Sequence, residues 1–121
     1  MGHIHQMVRV RGTRSATVRM LVDTGATFSV IPPRLVRALG IPRLRRSVTV
    51  RLADGTALRL RAGVAVFEID GREAPATILV GKVEEPILGV ETLEALGLTV
   101  DPKRERLLPS RGYAVRLGGY R

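Results

Sequence analysis

Apolar and polar positions alternate along most of this chain, the signature of half-buried β-strands. His5 to Arg11 carries Met7 on one parity and Val8 and Val10 on the other, a short imperfect strand. Gly12 to Ser15 has turn composition. Ala16 to Val22 resumes the alternation with Val18 and Met20 on one face, so the two segments read as a hairpin. Val30-Ile31 is a brief apolar run closed by Pro32-Pro33. The period then changes. Leu35, Val36 and Leu39 share one face of a short helix over Pro33 to Leu39; proline suits its first turn, and Gly40 suits a left-handed C-terminal position before Pro42.

Ser47 to Arg61 shows the clearest alternation, with Val48, Val50 and Leu52 before Asp54-Gly55 and Leu58 and Leu60 after it. A two-residue Asp-Gly loop would set Val50 opposite Arg59 and mix charge into both faces. A three-residue loop, Ala53-Asp54-Gly55, sets Leu52 opposite Thr56, Val50 opposite Leu58 and Val48 opposite Leu60. That register makes one apolar face and predicts a type I turn with glycine in a bulge. Val64 to Ile69 and Ala76 to Val80 read as two further strands joined through Asp70-Gly71. Val90 to Leu96 reads as a second short helix, with Leu93 and Leu96 on one face and Gly97 as its stop. Leu98 to Asp101 and Glu105 to Leu108 are short strands around a turn at Asp101-Pro102-Lys103-Arg104, and Tyr113 to Leu117 supplies a last strand in the tail. The two helices end alike, Ala38-Leu39-Gly40-Ile41 and Ala95-Leu96-Gly97-Leu98, each after an apolar run and a tight glycine turn, so a weak internal two-fold repeat is expected.

At 121 residues, 45% of them hydrophobic and 26% charged, the chain has the content of one globular domain or one subunit, and residues 1–121 contain no low-complexity linker. The absence of cysteine excludes a disulfide scaffold, a thiol nucleophile and a thiolate metal site. No window is long and apolar enough for a membrane span, and Met1 to Gln6 has no apolar signal core, so a soluble, cytoplasmic protein is expected. The net charge of +9 raises nucleic-acid binding as a reading. Along the sequence, however, the arginines are dispersed, with only Arg45-Arg46 adjacent, and Phe28, Phe67, Tyr113 and Tyr120 are too few for base stacking. Nucleic-acid binding as the main function is therefore the weaker reading.

The chemistry concentrates in Leu21-Val22-Asp23-Thr24-Gly25-Ala26-Thr27. A carboxylate stands at the end of an apolar strand, followed by a hydroxyl residue and by a glycine that could turn the backbone at positive φ. An ordinary strand-ending turn would look the same, and a bare Asp-Thr-Gly arises by chance in roughly a few per cent of chains this long. His3 and His5 alternate on a strand but lack a third metal ligand, and Glu84-Glu85, Glu91 and Glu94 read as solvated surface.

In its context the segment resembles the active-site motif of the aspartic proteases. The chain as a whole resembles their single-domain, retropepsin-like branch over roughly residues 5 to 108. Asp23-Thr24-Gly25-Ala26 resembles the catalytic loop, the Val48 to Leu60 hairpin with Ala53, Asp54 and Gly55 at its tip the flap, and Ile87-Leu88-Gly89 with the following helix the second apolar-apolar-glycine element. The resemblance implies a mainly β fold, a closed barrel of the acid-protease type with a flap hairpin and one or two short helices. It implies an aspartic endopeptidase that needs no metal or cofactor and acts on peptide or unfolded protein. Such chemistry needs two carboxylates. The other aspartates, Asp54, Asp70 and Asp101, do not repeat the motif, so a homodimer is implied, with Asp23 of each subunit forming the pair and Thr24 bonding across the axis. A non-catalytic binding or dimerisation module on the same fold is the alternative. The hairpin tip departs from the glycine-rich retroviral pattern in having only Gly55, and the arginine-containing tail from Ser110 departs as well.

Overall fold

The structure is a computed structural model that describes residues 3–51 and 54–110. The chain runs β1 (Ile4–Arg11), β2 (Ser15–Val22), β3 (Ser29–Ile31), α1 (Pro33–Leu39), β4 (Arg43–Arg51), β5 (Ala57–Ile69), β6 (Arg72–Val80), β7 (Ile87–Leu88), α2 (Val90–Leu96), β8 (Leu98–Asp101) and β9 (Arg106–Pro109). Seven strands form one sheet in the order β1-β2-β7-β3-β6-β5-β4, and a further β1–β5 pairing closes six of them into a ring from which β4 projects. Among the described residues, strands β8 and β9 pair only with each other. The predicted strand at Tyr113 to Leu117 lies outside the described residues.

The alternation seen in the sequence is the barrel's inside and outside. Val8, Val10 and Met20 are fully buried, while Met7 is exposed. Phe67, Ile31, Ile78 and Leu88 complete the centre of the core, with Val36 and Leu39 of α1 and Leu93 and Leu96 of α2 packed against it. Burying each such side chain contributes about 1.5–3 kcal/mol before ordering costs.

Both helices occupy the predicted residues. Each ends on a left-handed glycine, Gly40 at φ 62° and Gly97 at φ 71°, whose N–H bonds back into the last turn. One prediction fails: the sequence divides at Ala62-Gly63, yet β5 runs unbroken for 13 residues through them. Gly63 is there because of a close approach, since a Cβ on it would stand 2.7 Å from the Pro42 carbonyl oxygen. The same contact lets β4 begin at Arg43, four residues earlier than expected, with an irregularity before Ser47.

The internal repeat is present in the pairings. β1 and β2 are antiparallel, as are β5 and β6; β7 lies parallel to β2, and β3 parallel to β6. The β1–β5 and β3–β7 contacts join the halves antiparallel, as a two-fold requires. Even the helix ends match. Arg14, in the β1–β2 turn, donates to the Ala38 and Arg37 carbonyls of α1, and Arg72, after the β5–β6 turn, donates to the Leu96 and Gly97 carbonyls of α2. Both arginines satisfy carbonyls left open at a helix C-terminus and complement its dipole.

Candidate active site

Asp23 follows the last residue of β2, where β7 lies alongside. Its N–H donates to the Leu88 carbonyl at 3.0 Å, one step beyond the parallel Val22–Leu88 pair. The chain then turns tightly. Gly25 N–H donates to Asp23 Oδ1 at 2.9 Å, and Ala26 N–H donates to the Asp23 carbonyl at 3.1 Å. The carboxylate is half-buried, held by a backbone donor and open on one side. Gly25 corrects the sequence expectation: its φ is not positive, and the described glycines at positive φ are Gly40, Gly55, Gly71 and Gly97. What it provides is room, because a Cβ there would sit 3.2 Å from Asp23 Oδ1.

The loop is bolted to the second half of the chain. The Ala26 and Thr27 carbonyls accept from Val90 and Glu91 N–H, both at 2.9 Å. Beneath them Ser29, fully buried, bonds Thr92 at 2.6 Å between hydroxyls and accepts from Gly89 N–H at 3.0 Å. Gly89 is pressed against the loop, and a Cβ on it would lie 2.5 Å from the Phe28 carbonyl carbon. Thus Ile87-Leu88-Gly89 is a wedge between β2 and β3, with Leu88 fully buried, and it fixes the Asp23 loop from behind. The sequence offered no signal for Ser29 and Thr92, ordinary residues 63 positions apart that only the fold unites.

The pseudo-two-fold shows what stands opposite Asp23. In the second half, β6 and β3 repeat the pairing of β2 and β7, and there Gly81 N–H donates to the Ile31 carbonyl at 3.1 Å. Gly81 therefore occupies the position equivalent to Asp23. It is buried against Val30 and Leu60, and its missing side chain leaves no second carboxylate in this chain.

Over residues 8–95 the sequence matches the family model of the gag-polyprotein aspartyl proteases. The chain belongs to that family. No curated relative matches it by sequence. Among solved structures it is similar to the EIAV protease complexed with the inhibitor HBY-793, at a TM-score of 0.65 and 22% identity over 83% of this chain and 93% of that one. The fold is thus retropepsin-like.

Within this aspartyl protease chain, Asp23 and Thr24 open onto a recess of about 430 Å³ bounded by His3, Ile4, Val22, Val100, Pro102 and Glu105. The β8–β9 turn was not expected beside the site, and the recess brings it there. Thr24 is exposed, and among the described residues its hydroxyl has no hydrogen-bond partner. His5 Nε2 lies 2.8 Å from Glu85, which is therefore engaged and not simply solvated. The β4–β5 hairpin has the predicted register, Val48 opposite Leu60 and Val50 opposite Leu58. At its tip Gly55 has φ 92°, and Asp54 accepts from Thr56 N–H at 2.9 Å and from its hydroxyl at 2.6 Å. Those bonds hold the Asp54 carboxyl below its ordinary value of 3.8. Leu52 and Ala53 lie outside the described residues.

Proposed function

We propose that this protein is a homodimeric aspartic endopeptidase in which Asp23 of two subunits forms the catalytic pair. One observation carries the reading: the chain presents one carboxylate on a braced loop and a glycine, Gly81, at the equivalent place in its other half. A second copy supplies what is missing. Two carboxylates in contact cannot both ionise cheaply, so they share one proton. The ionised member takes a proton from a water between them as it attacks the scissile carbonyl carbon, and the protonated member donates to the carbonyl oxygen. The tetrahedral intermediate then collapses, with the proton passing to the leaving amine and no acyl-enzyme formed.

The surroundings suit that role. Thr24, exposed and without a hydrogen-bond partner among the described residues, is placed to bond across the axis. Among the described residues β8 and β9 pair only with each other, and a two-stranded sheet is weak alone and offers edges for further pairing. Because its turn borders the Asp23 recess, a second copy's hairpin adding there completes a four-stranded sheet beneath the two catalytic loops. The β4–β5 hairpin, with Asp54 and Gly55 at its tip, serves as the flap: Leu58 is exposed, and Val48, Val50 and Leu60 on the same face are half-buried, apolar cover for an extended peptide. A cysteine-free chain suits a reducing, cytoplasmic setting.

The test is cleavage of an unfolded-protein or random-peptide pool, scanned from roughly pH 4 to 7 so that the acid dependence expected of a proton-sharing carboxylate pair is covered. Wild type should cleave, and Asp23→Asn should lose about 1,000-fold or more while keeping the Gly25 bond through its amide oxygen. Equal activity in both would assign the cleavage elsewhere. A folded dimer that cleaves nothing would favour the binding module.

A further inference from the structure

The arginines that look scattered along the sequence are gathered by the fold. Residues 24–67 contain eight arginines and one acid, Asp54, so they carry +7 of the net +9. Six of the eight, Arg43, Arg45, Arg46, Arg51, Arg59 and Arg61, lie on the β4–β5 hairpin, and all six are exposed. From Ser47 to Arg61 the register separates three of them from the apolar side: Thr49 opposes Arg59, Ser47 opposes Arg61 and Arg51 opposes Ala57, alternating with the valine–leucine pairs, while Arg43, Arg45 and Arg46 lie at the irregular start of β4. Over that stretch one face of the hairpin is apolar and the other cationic. Asp54 does not neutralise that face, since its oxygen is taken by Thr56. The ion pairs among the described residues, His5–Glu85 and Arg11–Glu73, lie elsewhere. The bonds that hairpin arginines make are to backbone carbonyls, Arg61 to Leu44 at 2.8 Å and Arg51 to Gly55 at 3.4 Å.

We propose that the outer face of this hairpin binds the phosphate backbone of single-stranded nucleic acid, independently of base sequence. Like charges on neighbouring strands repel, and a polyanion relieves that cost while releasing its own counterions. Every cation on the hairpin is arginine, whose planar fork matches phosphate oxygens better than an ammonium does. Arg59 and Arg61 are about 7 Å apart along the strand, so a ligand charged at every unit meets each of them. An acidic peptide fits less well. Ser47, Thr49 and Ala57 between the arginines are small and exposed, and Arg43, Arg45 and Arg46 line an edge strand, where charge opposes strand addition. No aromatic residue lies between Arg43 and Gly63, and Phe67 further along β5 is fully buried, so phosphate contacts and not base stacking carry the affinity. The inference does not depend on proteolytic activity. In a protease, it would place nucleic acid on the back of the segment that covers the cleft.

The test is fluorescence anisotropy with a labelled thymidine oligonucleotide of about 20 nucleotides, long enough to span one site. Binding should weaken steeply between about 50 and 200 mM salt. Replacing Arg45, Arg46, Arg51 and Arg59 by Gln should weaken it about tenfold or more and flatten the salt slope by about 0.7 per phosphate released. Replacing Arg9, Arg11, Arg19 and Arg104 by Gln changes net charge equally and should cost less than about threefold. On wild type, amide shifts induced by the oligonucleotide should concentrate in residues 43–51 and 56–61, which keeps the test decisive if a variant misfolds. No binding at low salt, equal weakening by both variants, shifts spread over the whole surface, or tighter binding of polyglutamate at the same residues would each overturn the proposal.

Discussion

The Asp23 carboxylate is held in place by four backbone contacts and one absent methyl group. Asp23 is fixed by its own N–H to Leu88, by Gly25 N–H on its oxygen, and by a loop whose Ala26 and Thr27 carbonyls are held from α2. Gly89 is the tightest point of that assembly, because its hypothetical Cβ would meet only backbone, at 2.5 and 2.6 Å from Phe28 and 2.9 Å from Ala26. Backbone cannot swing aside as a side-chain end can. Gly89→Ala should therefore destabilise the fold by about 3 kcal/mol, seen as a lower urea midpoint at unchanged slope. A midpoint unchanged within error would mean that the loop yields easily and is not braced as described. Asp23 was legible in the sequence because its chemistry sits in consecutive residues. The role of Gly25 was legible only in part: the type of residue pointed to a tight place, but positive φ and close approach look identical in a sequence.

Among elements, the two helices and the hairpin were the most readable, because proline and glycine punctuate the helices and strict alternation sets the hairpin register. Strand β5 was misread at Gly63 because a glycine demanded by a neighbouring carbonyl looks like a break. The joint between the Asp23 loop and α2 was not readable at all. There Ser29→Ala would strand the Gly89 N–H and the Thr92 hydroxyl in the core, at about 2 kcal/mol. Thr92→Val with Ser29→Ala should cost less than the sum of the single changes, by about 1 kcal/mol of coupling. Strict additivity in chemical denaturation would show that the two hydroxyls act independently. At the hairpin tip the pH dependence has a definite sign. The folded Asp54 value is depressed, so its contribution is present above the unfolded value of 3.8 and is lost as pH falls through the lower folded value. The Thr56 amide resonance should therefore titrate with a midpoint below 3.8, and Asp54→Asn should abolish the step. A midpoint at or above that value would remove the proposed bond from the solution structure.

At the scale of the whole molecule, the pseudo-two-fold within the chain and the two-fold proposed between chains make one argument. The internal repeat places β2 with β6, β3 with β7 and Arg14 with Arg72, and it leaves Gly81 where a second Asp23 would stand. A chain that used its own two halves as a catalytic pair would need a carboxylate at Gly81. On the proposed reading the second carboxylate comes from another copy of the chain, and that can be measured. Wild type and Asp23→Asn are mixed in equal amounts under conditions where subunits exchange, and cleavage is followed to equilibrium. Random pairing leaves about a quarter of the dimers with two intact aspartates, so activity per wild-type chain should fall to about half that of wild type alone. Adding more of the inactive chain should depress it further, in proportion to the wild-type fraction. A site complete within one subunit gives a different result: the inactive chain dilutes nothing, and activity per wild-type chain stays constant at every ratio. Slow subunit exchange would mimic that second outcome, so the mixture is also prepared by joint refolding, which forces random pairing. Constant activity after joint refolding would refute the shared site while leaving the family membership and the fold untouched.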